Sequence, residues 1–249
     1  GWIYIFFFFF SGGLKYMIGI IGPTESEIMP FIEKINDRSA IKEAMLQFYI
    51  GSYANVPVVA LQSGVCKVNA TIATQILIDK FEVSHVILTG VAGGLDEKLS
   101  IGDIVISTEV AHHDVCKEIL TQNHPKMDDI YFKADDRLIK RSKEAAESLN
   151  INKNYFTGKI ITGETFITDK EREDLIKKFT PLCVDMESAS IAHTCYVNKI
   201  PFIVIRAISD NADKDGLVTF EENIKLSSIK ALKLVESLIE KFNNKGEEY

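Results

Sequence analysis

The sequence lacks any run of about 20 apolar residues, the length that a helix needs to cross a bilayer. Its most conspicuous apolar run, Trp2 to Phe10, is less than half that long, so no membrane span is expected. Cysteine is scarce: the four residues, Cys66, Cys116, Cys183 and Cys195, show no C-x-x-C pairing and no histidine at zinc-ligand spacing. That excludes a metal cage or a disulfide framework and points to reduced thiols in the cytoplasm. Basic charge is also short, with 28 Lys and Arg against 35 Asp and Glu and a net charge of -7. The small basic groups Lys140, Arg141, Lys143 and Lys177, Lys178 are interleaved with acids on amphipathic segments, as on solvated helix faces. A nucleic-acid backbone would find no patch to bind. Gly90-Val-Ala-Gly-Gly94 and Gly19-Ile-Ile-Gly22 both miss the G-x-G-x-x-G register, and neither a Walker loop nor a G-x-S-x-G elbow occurs, so no cofactor is expected.

What is present is enough chain for one large domain. With 249 residues, a single domain over 17–249 is expected, preceded by an apolar extension over 1–16. The extension has the form of a degenerate export signal, or of residues foreign to the native protein, since Met17 directly precedes a complete strand. Met17 to Gly22 reads as a strand, and Glu25 to Asn36 as a helix with Ile28, Met29, Phe31, Ile32 and Ile35 apolar. Val56 to Leu61 is a second strand. Asn69 to Phe81 follows as a helix whose Ile72, Ile76 and Leu77 share a face. His85 to Thr89, Asp103 to Ser107 and Lys159 to Thr162 read as further strands, with a helix near Asp136 to Leu149 inside a long polar stretch. Pro201 to Ile208 is apolar without alternation, which marks a strand buried on both faces. A helix over Phe220 to Phe242 closes the chain. Strands alternating with helices give an α/β fold, a three-layer αβα sandwich around a mixed, mostly parallel sheet.

Ligands in such sheets sit beyond the carboxyl ends of the strands, which directs attention to Gly22 to Glu27, Ser63-Gly64, Gly90 to Gly94, Gly163 to Ile167 and Ser209-Asp210. Acids recur in this set, which suits a polyhydroxylated substrate and acid/base chemistry. Asp210 follows a long apolar strand, where desolvation would raise its pKa and keep a proton for donation; Ser209 and Asp210 could equally cap a turn. Arg206, inside the same strand, should meet a carboxylate, either for function or as a structural ion pair. Glu25 and Glu27 open the first helix, where acids also complement a helix N-terminus. Val184-Asp-Met-Glu-Ser188 sets two carboxylates before the apolar helix Ile191 to Val197, again compatible with capping. His112-His113-Asp114 resembles a metal site only superficially, because adjacent residues rarely aim at one ion and no third ligand stands at a recognised spacing.

Taken together, Gly19-Ile-Ile-Gly22 with Glu25 and Glu27, Thr89-Gly-Val-Ala-Gly-Gly-Leu95, Gly163-Glu-Thr-Phe-Ile167, Val184-Asp-Met-Glu187 and Arg206-Ala-Ile-Ser-Asp210 resemble the bacterial 5'-methylthioadenosine/S-adenosylhomocysteine nucleosidases, in order and spacing, from about Met17 to the final helix. The resemblance implies a nucleoside phosphorylase-like fold and hydrolysis of the N-glycosidic bond, in methionine salvage and removal of adenosylmethionine by-products. It implies that Asp210 protonates adenine at N7, that Glu27 takes a proton from the attacking water, and that Arg206 helps to order that water. Glu187 would hold the ribose hydroxyls, the Ile167 backbone would read the adenine edge, Phe166 and Met186 would pack on base or sugar, and Phe220 would contact the alkylthio end. Val65, Val91 and Ser209 complete the expected substrate-contacting set. No metal is implied; an adenine nucleoside is the ligand, and a homodimer is expected, with Val115, Ile119, Leu120 and Ile130 as apolar candidates for the interface.

The family often has serine where Val91 stands and glutamate where Asp185 stands, so a hydroxyl near the base is missing and one carboxylate has a shorter arm. Two other readings stay open. A phosphorylase of the same fold would need cations for phosphate, and Gly22 to Glu27 supplies two acids and none, leaving Arg206 and Lys67. A nucleoside-binding protein without turnover would not need Glu27 opposite Asp210.

Overall fold

The computed structural model describes residues 16–151, 154–167, 169–213 and 215–243. Strand β1 (Ile18–Gly22) runs parallel to β4 (Val56–Gln62) on one side and to β5 (His85–Gly94) on the other, and β5 runs parallel to β10 (Phe202–Asp210). All residues of β1, β5 and β10 are buried, which explains their continuous apolar runs. Beyond β10 the sheet continues through β6 (Ile104–His112), β8 (Tyr155–Thr162) and β9 (Cys183–Asp185), and β9 pairs back on β5 at Gly93 and Gly94. The sheet therefore curls until these five strands close on themselves. Helices cover both faces: α1 (Glu25–Ile32) and α4 (Asp136–Ser148) pack on α7 (Gly216–Lys241) on one side, and α2 (Lys67–Phe81) packs on α6 (Ser188–Asn198) on the other. This is the three-layer arrangement expected from the alternating pattern.

Several boundaries differ from the sequence reading, each for a physical reason. The first helix stops at Ile32, and Asn36 begins β2 (Asn36–Glu43), which forms a hairpin with β3 (Leu46–Tyr53). The hairpin turns on Ala44 and Met45, both at positive φ, where Asn-Gly would have signalled the turn, and β2 is almost wholly exposed and polar. The long polar stretch holds α3 (Lys117–Gln122) and the three-residue β7 (Tyr131–Lys133), both too short for a periodic signal. Helix α2 presents Ala70, Ala73, Thr74 and Leu77 inward, while Ile72 is 42% exposed; small residues let the helix lie close to the sheet. Strand β5 does not end at Thr89 but runs through the glycines, and β10 continues to Asp210 itself, because Gly93 pairs with Asp210.

The expected extension over 1–16 falls, apart from Tyr16, outside the described residues. Tyr16 donates from its hydroxyl to the Phe242 carbonyl at 2.8 Å and lays its ring against Phe242. The four cysteines are free thiols. No helix among the described residues is long and apolar enough to cross a membrane.

Candidate active site

The carboxyl ends of β1, β4, β5, β8, β9 and β10 converge on a pocket of about 340 Å³, within the usual range for small-molecule sites. Glu27, Val65, Val91, Phe166, Ile167, Met186, Glu187, Ser209, Asp210 and Phe220 all line it. Arg206 does not; it lies beneath, fully buried. Thr24 and Thr165 lie within segments singled out by sequence but were not named as lining residues, and Leu217, which no motif marks, was missed.

Arg206 was expected to meet one carboxylate, and it meets three. Its Nε donates to Asp185 Oδ2 at 2.8 Å, its Nη2 donates to Glu187 Oε2 at 2.9 Å, and its Nη1 stands 3.6 Å from Glu27 Oε1. Burial alone would lower the guanidinium pKa, but Asp185, Glu187 and Glu27 outweigh it and raise it. Asp185 anchors the cluster. It accepts from Thr162 Oγ1 at 2.6 Å, from the Ser188 amide at 3.1 Å and from the Ser188 hydroxyl, so the shorter arm of aspartate still reaches Arg206 while capping α6. Glu187 is gripped on its other oxygen by the Cys66 amide at 2.9 Å. Burial raises its pKa, against the pull of Arg206.

Glu27 and Asp210 contrast in their partners. Glu27 accepts from the Thr24 amide at 2.9 Å, the Thr24 hydroxyl at 2.6 Å and the Val91 amide at 2.8 Å. Burial raises its pKa, while Arg206 and these donors hold it down. Asp210 accepts from the Ser209 hydroxyl at 2.8 Å and the Ala212 amide at 2.9 Å. Burial raises its pKa too, and Asp213 adds to the rise; among the described residues no cation pairs with it. A carboxyl with more donors and a cation sheds its proton first, so of the two carboxyls Asp210 is the one that holds a proton longer. The capping readings are also correct in geometry: Glu27 closes the first turn of α1, Asp185 caps α6 and Asp210 holds the Ala212 turn. Capping and chemistry use the same oxygens.

Two glycines permit this packing. A Cβ at Gly90, whose φ is +152°, would collide with Arg206 Nη1 and Glu27 Oε1, and one at Gly93 would stand 2.9 Å from Asp210 Oδ1. The motif therefore serves close approach of side chains to the strand rather than a phosphate cradle.

At the mouth, Phe166 and Phe220 meet edge to face with centroids 6.1 Å apart, beside exposed Leu217 and Val65. This rim is apolar. Lys67, the other cation considered for an anion, is paired with Asp114. In the His112-His113-Asp114 sequence, His112 packs edge-on against Phe132 and His193, and Asp114 accepts from Lys67 and from the Glu164 amide. Among the described residues no group of three or more His, Cys, Asp or Glu is placed to hold a metal. Of the residues considered for a subunit interface, Leu120 is buried and Val115 and Ile130 pack against the core. Ile119 is exposed, at 57%. The loop folds its apolar side chains inward more than its composition suggested.

An acid pair above parallel strand ends, in a pocket sized for a nucleoside, is the arrangement of a glycosidic-bond enzyme, and residues 17–240 match the phosphorylase superfamily. The chain is 38% identical over 230 residues to a 5'-methylthioadenosine/S-adenosylhomocysteine nucleosidase of Bacillus velezensis, covering 91% of this chain and 99% of the relative. It superposes on the nucleosidase of that name from Neisseria meningitidis, in complex with methylthio-immucillin-A, with a TM-score of 0.86 and 33% identity, covering 91% of this chain and all of the other. The corresponding enzyme from Colwellia psychrerythraea, in complex with adenine, gives a TM-score of 0.83 at 36% identity, covering 90% and 94%. The chain belongs to the 5'-methylthioadenosine/S-adenosylhomocysteine nucleosidase family.

Proposed function

We propose that the protein hydrolyses the N-glycosidic bond of 5'-methylthioadenosine and S-adenosylhomocysteine, releasing adenine and the corresponding thioribose product, as in methionine salvage and adenosylmethionine by-product removal. The observation that carries this is the contrast between Glu27, ringed by donors and a guanidinium, and Asp210, which lacks a cation. Asp210 gives its proton to N7 of adenine as the bond from N9 to the anomeric carbon breaks, so the base leaves neutral. Water adds to the anomeric carbon and gives its proton to Glu27. Arg206 Nη1, which has no hydrogen-bond partner among the described residues, and Glu27 Oε1 set a donor beside an acceptor and so suit a water molecule. Glu187, fixed by Arg206 and Cys66, binds the ribose hydroxyls, and its negative charge stabilises the oxocarbenium-like sugar. Phe166 and Met186 face base and sugar, the Ile167 backbone reads the adenine edge, Val91 and Ser209 border the base, and Val65 and Phe220 take the alkylthio end.

A phosphorylase is disfavoured because the Gly22 to Glu27 loop carries no cation, Lys67 is engaged by Asp114, and Arg206 is surrounded by Asp185, Glu187 and Glu27, whose charge opposes an anion. Adenine should be released at full rate in phosphate-free buffer; strict phosphate dependence with a sugar-phosphate product would exclude hydrolysis. We place the reaction in the cytoplasm, in keeping with four free thiols. The working unit is a homodimer, for which exposed Ile119, Val68 and Ile72 offer apolar surface. Light scattering at assay concentrations should give twice the chain mass, and a monomer at full activity would rule the dimer out.

A further inference from the structure

Arg172 belongs to no motif and does not line the pocket, yet its guanidinium joins two of the segments that define the site. It stands in the first turn of α5 (Asp169–Phe179). Its Nε donates to the Asn211 carbonyl at 3.1 Å and its Nη2 donates to the Leu95 carbonyl at 3.0 Å. Asn211 directly follows Asp210, and Leu95 directly follows Gly94, in the strand whose Gly93 pairs with Asp210. Beneath the guanidinium lies a small apolar cluster, separate from the main core, in which Leu175 and Phe179 of α5 meet Ile167, Leu95 and Ala212. So α5, with the loop from Gly163 to Ile167 that leads into it, forms one cover resting on the turn after Asp210.

We infer that Arg172 is a positioning residue that locks this cover to the turn carrying the proton donor. The inference rests on the reading of Asp210 as the acid and of Ile167 as the adenine contact. The fork of a guanidinium can grip two carbonyls at fixed spacing, which an ammonium cannot. Holding the Asn211 carbonyl fixes the next peptide, whose Ala212 amide donates to Asp210 Oδ1. The carboxyl lies close against Gly93, where even a Cβ would come within 2.9 Å of Oδ1, so its place depends on the turn, and a slip of the turn would move it away from the base. Misplacement by about 1 Å costs about 10²-fold in rate when geometry is that strict.

The test compares wild type, Arg172→Ala and Arg172→Lys in three measurements: turnover of methylthioadenosine, adenine binding by calorimetry, and amide exchange at Ala212. Arg172→Ala should lower kcat about tenfold or more with KM changed less, weaken adenine several-fold, and speed exchange at Ala212 about tenfold. Arg172→Lys, able to reach one carbonyl but not both, should fall between. Arg172→Ala with kcat and Ala212 exchange within about twofold of wild type would overturn the lock, as would a kcat loss explained wholly by the unfolded fraction. A wild-type protein that releases no adenine would refute the proposed hydrolysis instead, and the exchange measurement would still decide the lock.

Discussion

Asp210→Asn should lower kcat by about 10² to 10⁴-fold, the usual contribution of a general acid, while leaving the fold in place. The amide keeps the oxygen that accepts from Ala212 and stays within reach of Ser209, so the turn after β10 survives. What is lost is the proton. Adenine must then leave as an anion, and the defect falls on the chemical step rather than on ground-state binding. In the wild type, burial raises the pKa of Asp210, so activity should fall as pH rises through that raised value; the variant should lack this alkaline limb. A residue that merely capped the turn would give the reverse pattern, a lowered Tm with kcat nearly intact. Retention of more than about a tenth of wild-type kcat would remove Asp210 from the mechanism.

Arg206→Leu should show the largest loss of stability. The guanidinium is fully buried among Asp185, Glu187 and Glu27, each 7% exposed or less. Deleting it leaves three carboxylates in a dry site without their cation. Breaking a buried charge cluster in this way costs about 3 to 5 kcal/mol, or a Tm lowered by about 6 to 20 °C for a domain of this size. The loss should depend on pH with a definite sign. Burial already raises the pKa of Glu27 and Glu187 against the pull of Arg206; without Arg206 both rise further above their unfolded values, so the folded state holds protons that the unfolded state releases, and stability falls as pH rises between the two. Calorimetry should therefore find the variant closer to wild type at about pH 5 than at about pH 8. A Tm within about 2 °C of wild type at both pH values would show that the cluster is not held by charge. Turnover should fall as well, because the same side chain borders Glu27 and fixes Glu187, the carboxylates proposed to take the water proton and to bind the ribose.

The parts of the site that were legible in the sequence share one property: they follow buried parallel strands. Asp210, Gly90 to Gly94 and Glu27 could be singled out because a continuous apolar run announces where a strand ends and where a ligand sits. The shape of the charge cluster was legible only in outline. A buried arginine demands a carboxylate, but nothing in the spacing says that Asp185, Glu187 and Glu27, from two distant places in the chain, would share one guanidinium. The hairpin of β2 and β3 escaped because Ala44 and Met45 are not turn-forming residues and because an exposed edge strand need not alternate. Arg172 left no trace at all. Its partners are backbone carbonyls, which every residue supplies, so only the folded chain identifies them. Glu25, equal to Glu27 by sequence, differs in the structure: Glu27 points into the pocket, and Glu25 is not among the residues that line it.

The pairing of β10 with both β5 and β6 closes part of the sheet on itself and leaves β2 and the short β7 as its margins. Unpaired strand margins are where chains zip together into aggregates. Here the long margin is β2, lined by Asp37, Arg38, Lys42 and Glu43 and exposed along nearly its whole length. Charges of both signs on such a margin oppose a second strand unless its own charges fall in register. The same polar sequence that hid this strand from a reading of hydrophobic pattern thus keeps neighbouring molecules from extending the sheet. Protection against edge-to-edge association accordingly falls to an element that contributes no residue to the pocket.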